Sequence, residues 1–268
     1  MAIHKYPGKI SVIMPAYNEG GRIYKSILET AETFKEMGVK SYEIILVSDG
    51  STDLTVEEAR RAAKKLPHHV IIKHQRDNYG KGRVLKHGFR FATGDLILFL
   101  DADLDLHPAQ THVLFDLMQL DDADVVIGSK RHPNSIVNYP ASRRFLSTVY
   151  FFFVKVLFGL HIQDTQTGIK LFKREVLEKV FPRILVKRYA YDLEMLALAH
   201  YYGYRIAEAP VTLHFQRSFS RVTWHDAFWT WWDTMAVFYR LHLLHYYQSL
   251  DTEMGRRVDP HHQKEEVE

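Results

Sequence analysis

Residues 96–105 read LILFLDADLD, five apolar side chains without a polar break and then three aspartates at alternate positions. A continuous apolar run of that length is expected of a strand covered on both faces, the usual condition of a parallel sheet. Four further runs read the same way, at Ile10 to Met14, Glu43 to Val47, Val70 to Lys73 and Asp124 to Ile127. Between them, apolar residues recur at helical spacing: Ile23, Ile27, Ala31 and Phe34, then Val56, Ala59, Ala63 and Leu66. Val84, Leu85 and Phe89 suggest a shorter helix, and Pro108 suits the first turn of another that runs to Leu120. Strands alternating with helices predict an α/β domain, a mostly parallel sheet with helices on both faces.

After Ser129 the rhythm changes. A polar loop from Lys130 to Pro140 leads to an aromatic helix candidate over 141–159, and two more are expected at Glu175 to Val180 and Tyr191 to Tyr202. An extended run from Tyr204 to Phe215 and a last helix candidate over 224–247 follow. Residues 1–250 are expected to form one domain, with 251–268 a polar, disordered tail. The opening residues lack an apolar stretch of signal-peptide length, so the chain reads as unprocessed and cytoplasmic. The longest apolar stretch, Phe145 to Leu160, is interrupted by Lys155 and is too short to span a bilayer.

Composition narrows the chemistry. In a chain of 268 residues, 35 Lys and Arg against 32 Asp and Glu leave a net charge of +3, too small for a nucleic-acid footprint. There is no Cys, so any metal must be held by oxygen or imidazole. The 16 His form no His-Glu-x-x-His pattern and read as surface residues. In open α/β sheets ligands bind beyond the carboxyl ends of the strands, and four of the five predicted ends are rich in polar residues. In extended chain Asp101 and Asp103 point the same way, with Asp105 continuing the face, which suits one hard cation such as Mg²⁺ or Mn²⁺ and, through it, a diphosphate ligand. Lys81, between two glycines before a helix, reads as an anion contact or an ordinary turn. Asp49 and Glu19 can accept hydrogen bonds from a base or ribose, although Asp49 also suits a turn. Asp53 reads as a helix N-terminal residue, and Lys130 with Arg131 as phosphate-neutralising cations or a solvated pair.

Taken in order, Ile13 to Glu19 (IMPAYNE), Val47 to Asp53 (VSDGSTD), Asn78 to Gly82 (NYGKG) and Asp101 to Asp103 (DAD) resemble the family 2 glycosyltransferases of the GT-A fold. Gly128 to Arg131 (GSKR), Asp164 to Arg174 (DTQTGIKLFKR) and His214 to Val222 (HFQRSFSRV) are similar to segments of the polyprenyl-phosphate sugar transferases in that family, the dolichyl-phosphate glucosyltransferases and mannose synthases. The resemblance implies that Pro15, Tyr17, Glu19 and Asp49 hold the nucleoside, that Asp101 contacts donor sugar or ribose, and that Asp103 binds the metal. Asp105 stands where mannose synthases often carry Gln, another oxygen ligand, and Ser48 replaces the first Asp of the common Asp-Asp-Gly-Ser pattern. Arg131 would face the diphosphate, and Arg217 with Arg221 would belong to a basic loop that closes over the phosphates, without the glycine usual between them.

The implied reaction is inverting transfer of a hexose from a nucleotide sugar to a polyprenyl or dolichyl phosphate, with UDP-glucose the favoured donor and GDP-mannose, as in a mannose synthase, the alternative. A phosphate acceptor is already anionic near pH 7 and needs no base, so Asp164, Asp192 and Glu194 read as positioning residues or, for the last two, as helix-terminal charges. All four Trp lie between Trp224 and Trp232, and Phe145, Tyr150, Phe151, Phe152, Phe153 and Phe158 crowd the earlier helix beside Arg143 and Arg144. Such helices lie in a membrane interface, which predicts peripheral association with the cytoplasmic face of a membrane, or else they pack on the sheet or a partner subunit. Competing readings are a nucleotidyltransferase, which would release diphosphate from a nucleoside triphosphate, and a noncatalytic membrane-recruitment module, which would bind liposomes without turnover.

Overall fold

The computed structural model describes residues 8–137, 141–160, 162–186, 190–213 and 224–250. Among the described residues seven strands form one sheet: β1 (Ile10–Ala16), β2 (Tyr42–Asp49), β3 (Val70–Gln75), β4 (Leu96–Leu100), β5 (Val125–Ser129), β6 (Ile169–Lys173) and β7 (Ile206–Pro210). Among the described residues the helices that accompany them include α1 (Ile23–Glu36), α2 (Thr55–Ala63), α3 (Lys81–Phe89), α4 (Thr111–Leu120), α5 (Ala141–Phe158), α6 (Arg174–Val180), α7 (Tyr191–Tyr201) and α8 (Trp224–Phe238). The strand order is β3-β2-β1-β4-β6-β5-β7, and every pairing is parallel except the two made by β6. The α/β, mostly parallel expectation therefore holds.

Strand periodicity explains the two layers. Ile97 and Phe99 point into one core with Ile13, Val47 and Phe172, covered by α3, α5, α6, α7 and α8. Leu98 and Leu100 point the other way, with Val12, Met14, Leu46 and Leu171, beneath α1, α2 and α4. Gly82 lets α3 approach α7, because a Cβ there would stand 2.3 Å from the Tyr191 ring.

Three expectations change. The segment Asp164 to Arg174, read only as a motif, contains β6, which is inserted antiparallel between β4 and β5. The helix expected around Val84 to Phe89 begins earlier, at Lys81, after Gly80 at φ 90°. The helix expected over 224–247 is not continuous: α8 passes into a π-helical turn at Tyr239–Leu243, His245 adopts φ 47°, and helix resumes at 246–250. Among the described residues no helix is long and apolar enough to cross a membrane. The tail 251–268 lies outside the described residues.

Candidate active site

The site is built at the carboxyl ends of β1, β2 and β4, where the parallel strands end and the chain turns. Pro15 is the penultimate residue of β1, and Tyr17, just beyond the strand, is half exposed. Asn18 takes φ 55°, donates its amide to Ser51 Oγ at 3.1 Å and accepts from the Thr52 amide at 2.9 Å. Glu19 is buried, with Arg22 Nη1 3.6 Å from its Oε2. Asp53 accepts from the amides of Gly20 at 2.8 Å and Thr55 at 3.0 Å, so it does secure the entry to α2.

Asp49 is buried at the end of β2, and its two oxygens accept the amides of Tyr79 at 2.8 Å and Gly80 at 2.9 Å. Its carboxylate thus shapes the Asn78 to Gly82 loop that delivers Lys81. Ser48, fully buried, bonds to Ser51 Oγ and His74 Nδ1 at 2.9 and 3.1 Å, so its hydroxyl is spent within the fold.

Beyond β4 the chain is not extended, which corrects the argument that Asp101, Asp103 and Asp105 share a face by alternation. Residues 102–105 turn, Leu104 is held at φ 62° with its side chain buried, and the Asp105 amide donates to Asp103 Oδ1 at 3.1 Å. A left-handed leucine is unfavourable for an L-residue, and burial of its side chain in the core holds it there. The aspartates are consequently unlike one another. Asp101 is ion-paired with Lys81, whose Nζ lies 2.6 Å from Oδ1 and 2.9 Å from Oδ2. Asp103 is pushed up to about 6, first by burial and then by the negative charge of Asp101, with Asp105 and Glu19 adding to it and the Asp105 amide opposing.

Lys81 is the counterpart. Burial disfavours its charge, but Asp101, Asp192 and Asp103 outweigh that cost and hold its pKa above the ordinary lysine value. Behind it stands a second pair that the linear sequence did not reveal: Lys170 on β6 is 2% exposed and its Nζ lies 2.8 Å from Asp192 Oδ1, at the start of α7. Gly168 is what lets β6 meet Asp101, since a Cβ there would stand 2.1 Å from Asp101 Oδ2.

Asp164 is buried and fully engaged. Its Oδ2 accepts the Lys130 amide at 3.0 Å and Thr167 Oγ1 at 2.6 Å, its Oδ1 the Gln166 amide at 3.0 Å, and Lys130 Nζ stands 3.5 Å away. Burial opposes ionisation, yet Lys130 and these donors hold the carboxyl below the usual range. Arg131 is docked on α5, donating Nη2 to Thr148 Oγ1 at 3.0 Å with its guanidinium 4.8 Å from the Phe151 ring centre. Glu194 has no ligand role open to it: it is fully buried, with Leu185 and Val186 amides on one oxygen and Arg240 and Tyr247 on the other. Arg217 and Arg221, and the loop that holds them, lie outside the described residues.

Asp103 and Asp105 stand on the turn that follows Asp101, joined by the Asp105 amide on Asp103 Oδ1. Among the described residues no group of three or more His, Asp or Glu is placed to hold a metal on its own. Carboxylate oxygens of this kind fit Mg²⁺ or Mn²⁺ completed by water and ligand phosphate oxygens, and Asp103, whose ionisation is opposed first by burial and then by the charge of Asp101, is a carboxylate whose charged form a cation would favour.

The helices at the rim carry the aromatic residues. On α5, Val149, Phe152 and Val156 are exposed at helical spacing, and on α8 Phe228, Trp229, Trp231 and Trp232 are exposed. Tyr150 Oη and Thr234 Oγ1, 3.1 Å apart, tie the two helices together. Trp224 has no described side chain.

The model of glycosyl transferase family 2 matches residues 11–181. A dolichyl-phosphate beta-glucosyltransferase of Trichomonas vaginalis is 36% identical over 211 residues, covering 75% of this chain and 64% of that protein. One from Drosophila melanogaster is 36% identical over 239 residues, covering 83% and 71%. The chain spans between 32% and 71% of the length of the curated relatives it matches. Among solved structures, glucosyl-3-phosphoglycerate synthase from Mycobacterium tuberculosis, in complex with Mn²⁺, UDP-glucose and phosphoglyceric acid, superposes with a TM-score of 0.65 at 16% identity, covering 87% of this chain and 79% of that one. At that identity the likeness is one of fold.

Proposed function

Because the chain belongs to glycosyl transferase family 2, we propose that it is an inverting, metal-dependent transferase that moves glucose from UDP-glucose to a polyprenyl phosphate at a membrane surface. The observation that carries this reading is the acidic turn after β4: Lys81 pairs with Asp101, while Asp103, two residues on, is held against ionisation first by burial and then by the charge of Asp101, so that a divalent cation there would favour its charged form. The names of the curated relatives favour a glucosyl donor and a dolichyl phosphate acceptor, and Mn²⁺ with UDP-glucose in the mycobacterial synthase supports the same pair of ligands here.

The chain's own groups divide the work. Pro15, Tyr17 and Glu19 wall the nucleoside side, and Asp49 acts there through the 79–80 amides that it holds. Asp101, kept in place by Lys81, accepts hydroxyl hydrogens of sugar or ribose. A cation on Asp103 and Asp105 would supply positive charge against the leaving diphosphate. An oxygen of the acceptor phosphate attacks C1 as the bond from C1 to the diphosphate breaks, and no proton has to be removed. Asp164, held ionised by Lys130, positions the Lys130–Arg131 loop, and Arg131 with Arg217 and Arg221 adds positive charge around the phosphates. The test is a panel of UDP- and GDP-sugars with polyprenyl phosphate and Mn²⁺, read as lipid-linked product: glucose transfer from UDP-glucose is expected, and no lipid product from any donor refutes the reading.

Metal binding should depend on pH with a definite sign. A carboxylate ligand must be ionised, and Asp103 holds its proton up to about pH 6. Mn²⁺ affinity measured calorimetrically without substrates is therefore expected to be level above pH 7 and to weaken below 6, approaching about tenfold per pH unit. An affinity unchanged between pH 5 and 8 would remove Asp103 from the site.

The exposed rings make the second test. Replacing Phe152 and Trp232 together by Ser is expected to weaken binding to anionic liposomes at low salt by about tenfold or more, since each buried ring contributes about 1.5–3 kcal/mol. Liposome binding equal to the parent's would assign these helices to another contact.

A further inference from the structure

We infer that the outward side of α3, with Lys73 beside it, is a contact for anionic lipid headgroups, which gives the membrane contact proposed above a preference for negatively charged bilayers. The inference rests on that contact. Residues 81–90 read KGRVLKHGFR, four cations and a histidine with no acidic residue among them. Val84, Leu85 and Gly88 are buried in the core, so Arg83, Lys86, His87 and Arg90, three or four positions apart, share the opposite side of the helix. Arg83 and Arg90 are exposed. Lys73 of β3, the strand at one edge of the sheet, joins them: its Nζ lies 3.9 Å from the centre of the Phe91 ring, and the His87 ring stands 5.2 Å from that same ring. Burial first, and then the charges of Arg90, Lys73 and Arg83, hold His87 below the ordinary histidine range, so the charge of the stripe near pH 7 is that of its lysines and arginines.

Other helices match cations within their own turns. In α1, Lys25 pairs with Glu29 and Lys35 with Glu32, and in α2, Arg61 pairs with Glu58. α3 has no carboxylate to do the same; Arg83 lies over the Tyr79 ring, 4.0 Å from its centre, and the Tyr79 hydroxyl donates to Asp77. The place of the stripe favours a lipid surface over other polyanions. α3 belongs to the same layer as α5 and α8, whose exposed rings form the proposed interface, and the layer is tied across: Gly82 meets the Tyr191 ring of α7, and Glu194 of α7 holds Arg240 beyond α8. Rings for the acyl boundary and cations for the headgroups thus stand on one covering of the sheet, the pairing by which interfacial elements bind anionic bilayers. The whole chain, at a net charge of +3, offers no comparable field to a nucleic acid.

In the full chain, Lys73→Gln with Arg90→Gln is expected to weaken binding to vesicles of mixed phosphatidylserine and phosphatidylcholine about tenfold or more, each cation at an anionic surface contributing roughly a fivefold factor. Binding to phosphatidylcholine alone, which the rings provide, is expected to equal the parent's; a damaged protein would lose both. Lys73→Arg with Arg90→Lys keeps the charges and is expected to keep the parent's preference, and salt at about 0.5 M should bring the parent down to the neutral variant. Sugar transfer to polyprenyl phosphate in uncharged detergent micelles is expected to be the same in all three proteins. Equal binding of parent and neutral variant to the phosphatidylserine vesicles at low salt overturns the inference and leaves the stripe to an acidic protein. A parent that does not distinguish the two kinds of vesicle overturns it as well. If instead Phe152→Ser with Trp232→Ser binds phosphatidylcholine as the parent does, it is the ring contact that fails, which separates the two outcomes.

Discussion

Asp103→Ala is expected to transfer sugar about a thousandfold more slowly than the parent in the presence of Mn²⁺, UDP-glucose and polyprenyl phosphate, and yet to be at least as stable at pH 7. The two halves have one cause. Burial and the charges of Asp101, Asp105 and Glu19 push the Asp103 carboxyl up to about 6, above the ordinary value of an unfolded aspartate. A carboxyl raised in the folded state contributes stability while it is protonated and loses it as pH rises from the unfolded value through the folded one. At pH 7 the ionised group strains the fold, so its removal relieves that strain while deleting the proposed cation ligand. A variant that is slow because it is damaged would melt early; this one is expected to melt at or above the parent's temperature. Undiminished transfer by Asp103→Ala would dismiss the account of the metal.

The largest loss of stability is expected at Glu194, a residue with no part in the chemistry. Its carboxylate, fully buried, collects the Leu185 amide at 3.0 Å, the Val186 amide at 2.7 Å, Arg240 Nη2 at 3.1 Å and the Tyr247 hydroxyl. Glu194→Ala leaves Arg240 enclosed with its charge uncompensated and the hydroxyl of buried Tyr247 without its acceptor. Breaking one side of such a buried pair costs about 3–5 kcal/mol. Urea unfolding should report the loss as a lower midpoint at unchanged slope. A difference below about 1 kcal/mol would mean that the C-terminal turn is not held by this carboxylate.

The two residues illustrate what a sequence can disclose. Asp103 was legible because an uninterrupted apolar strand precedes it, and the strand's end is where ligands bind in such a sheet. The first five strands and the helices from Ile23 and Val56 were legible for the same reason, since their periodicity is local. Glu194 looked like a helix-terminal charge because its partners lie 46 and 53 positions away, at Arg240 and Tyr247. β6 was hidden by Lys170, a charge in a run too short to outvote it, whose cost is met by an aspartate 22 residues on. Alternation along Asp101 to Asp105 suggested a shared face, but the buried left-handed Leu104 turns the chain, and Lys81 pairs with Asp101. The anchoring of Arg131 by Thr148 and Phe151 is a contact between a loop and a helix that spacing does not encode.

The antiparallel insertion of β6 also governs the order in which the domain can be completed. β5 pairs only with β6 and β7, both of which follow it in the chain. A nascent chain that has released β5 therefore holds a bare apolar strand until residues 169–173 emerge, and any fragment that stops before Ile169 ends with β5 lacking both neighbours. Closure across such a sequence separation is slow and exposes strand edges meanwhile. The same five residues that carry Lys170 into the site are thus the ones whose arrival gives β5 its first partner and β4 its second.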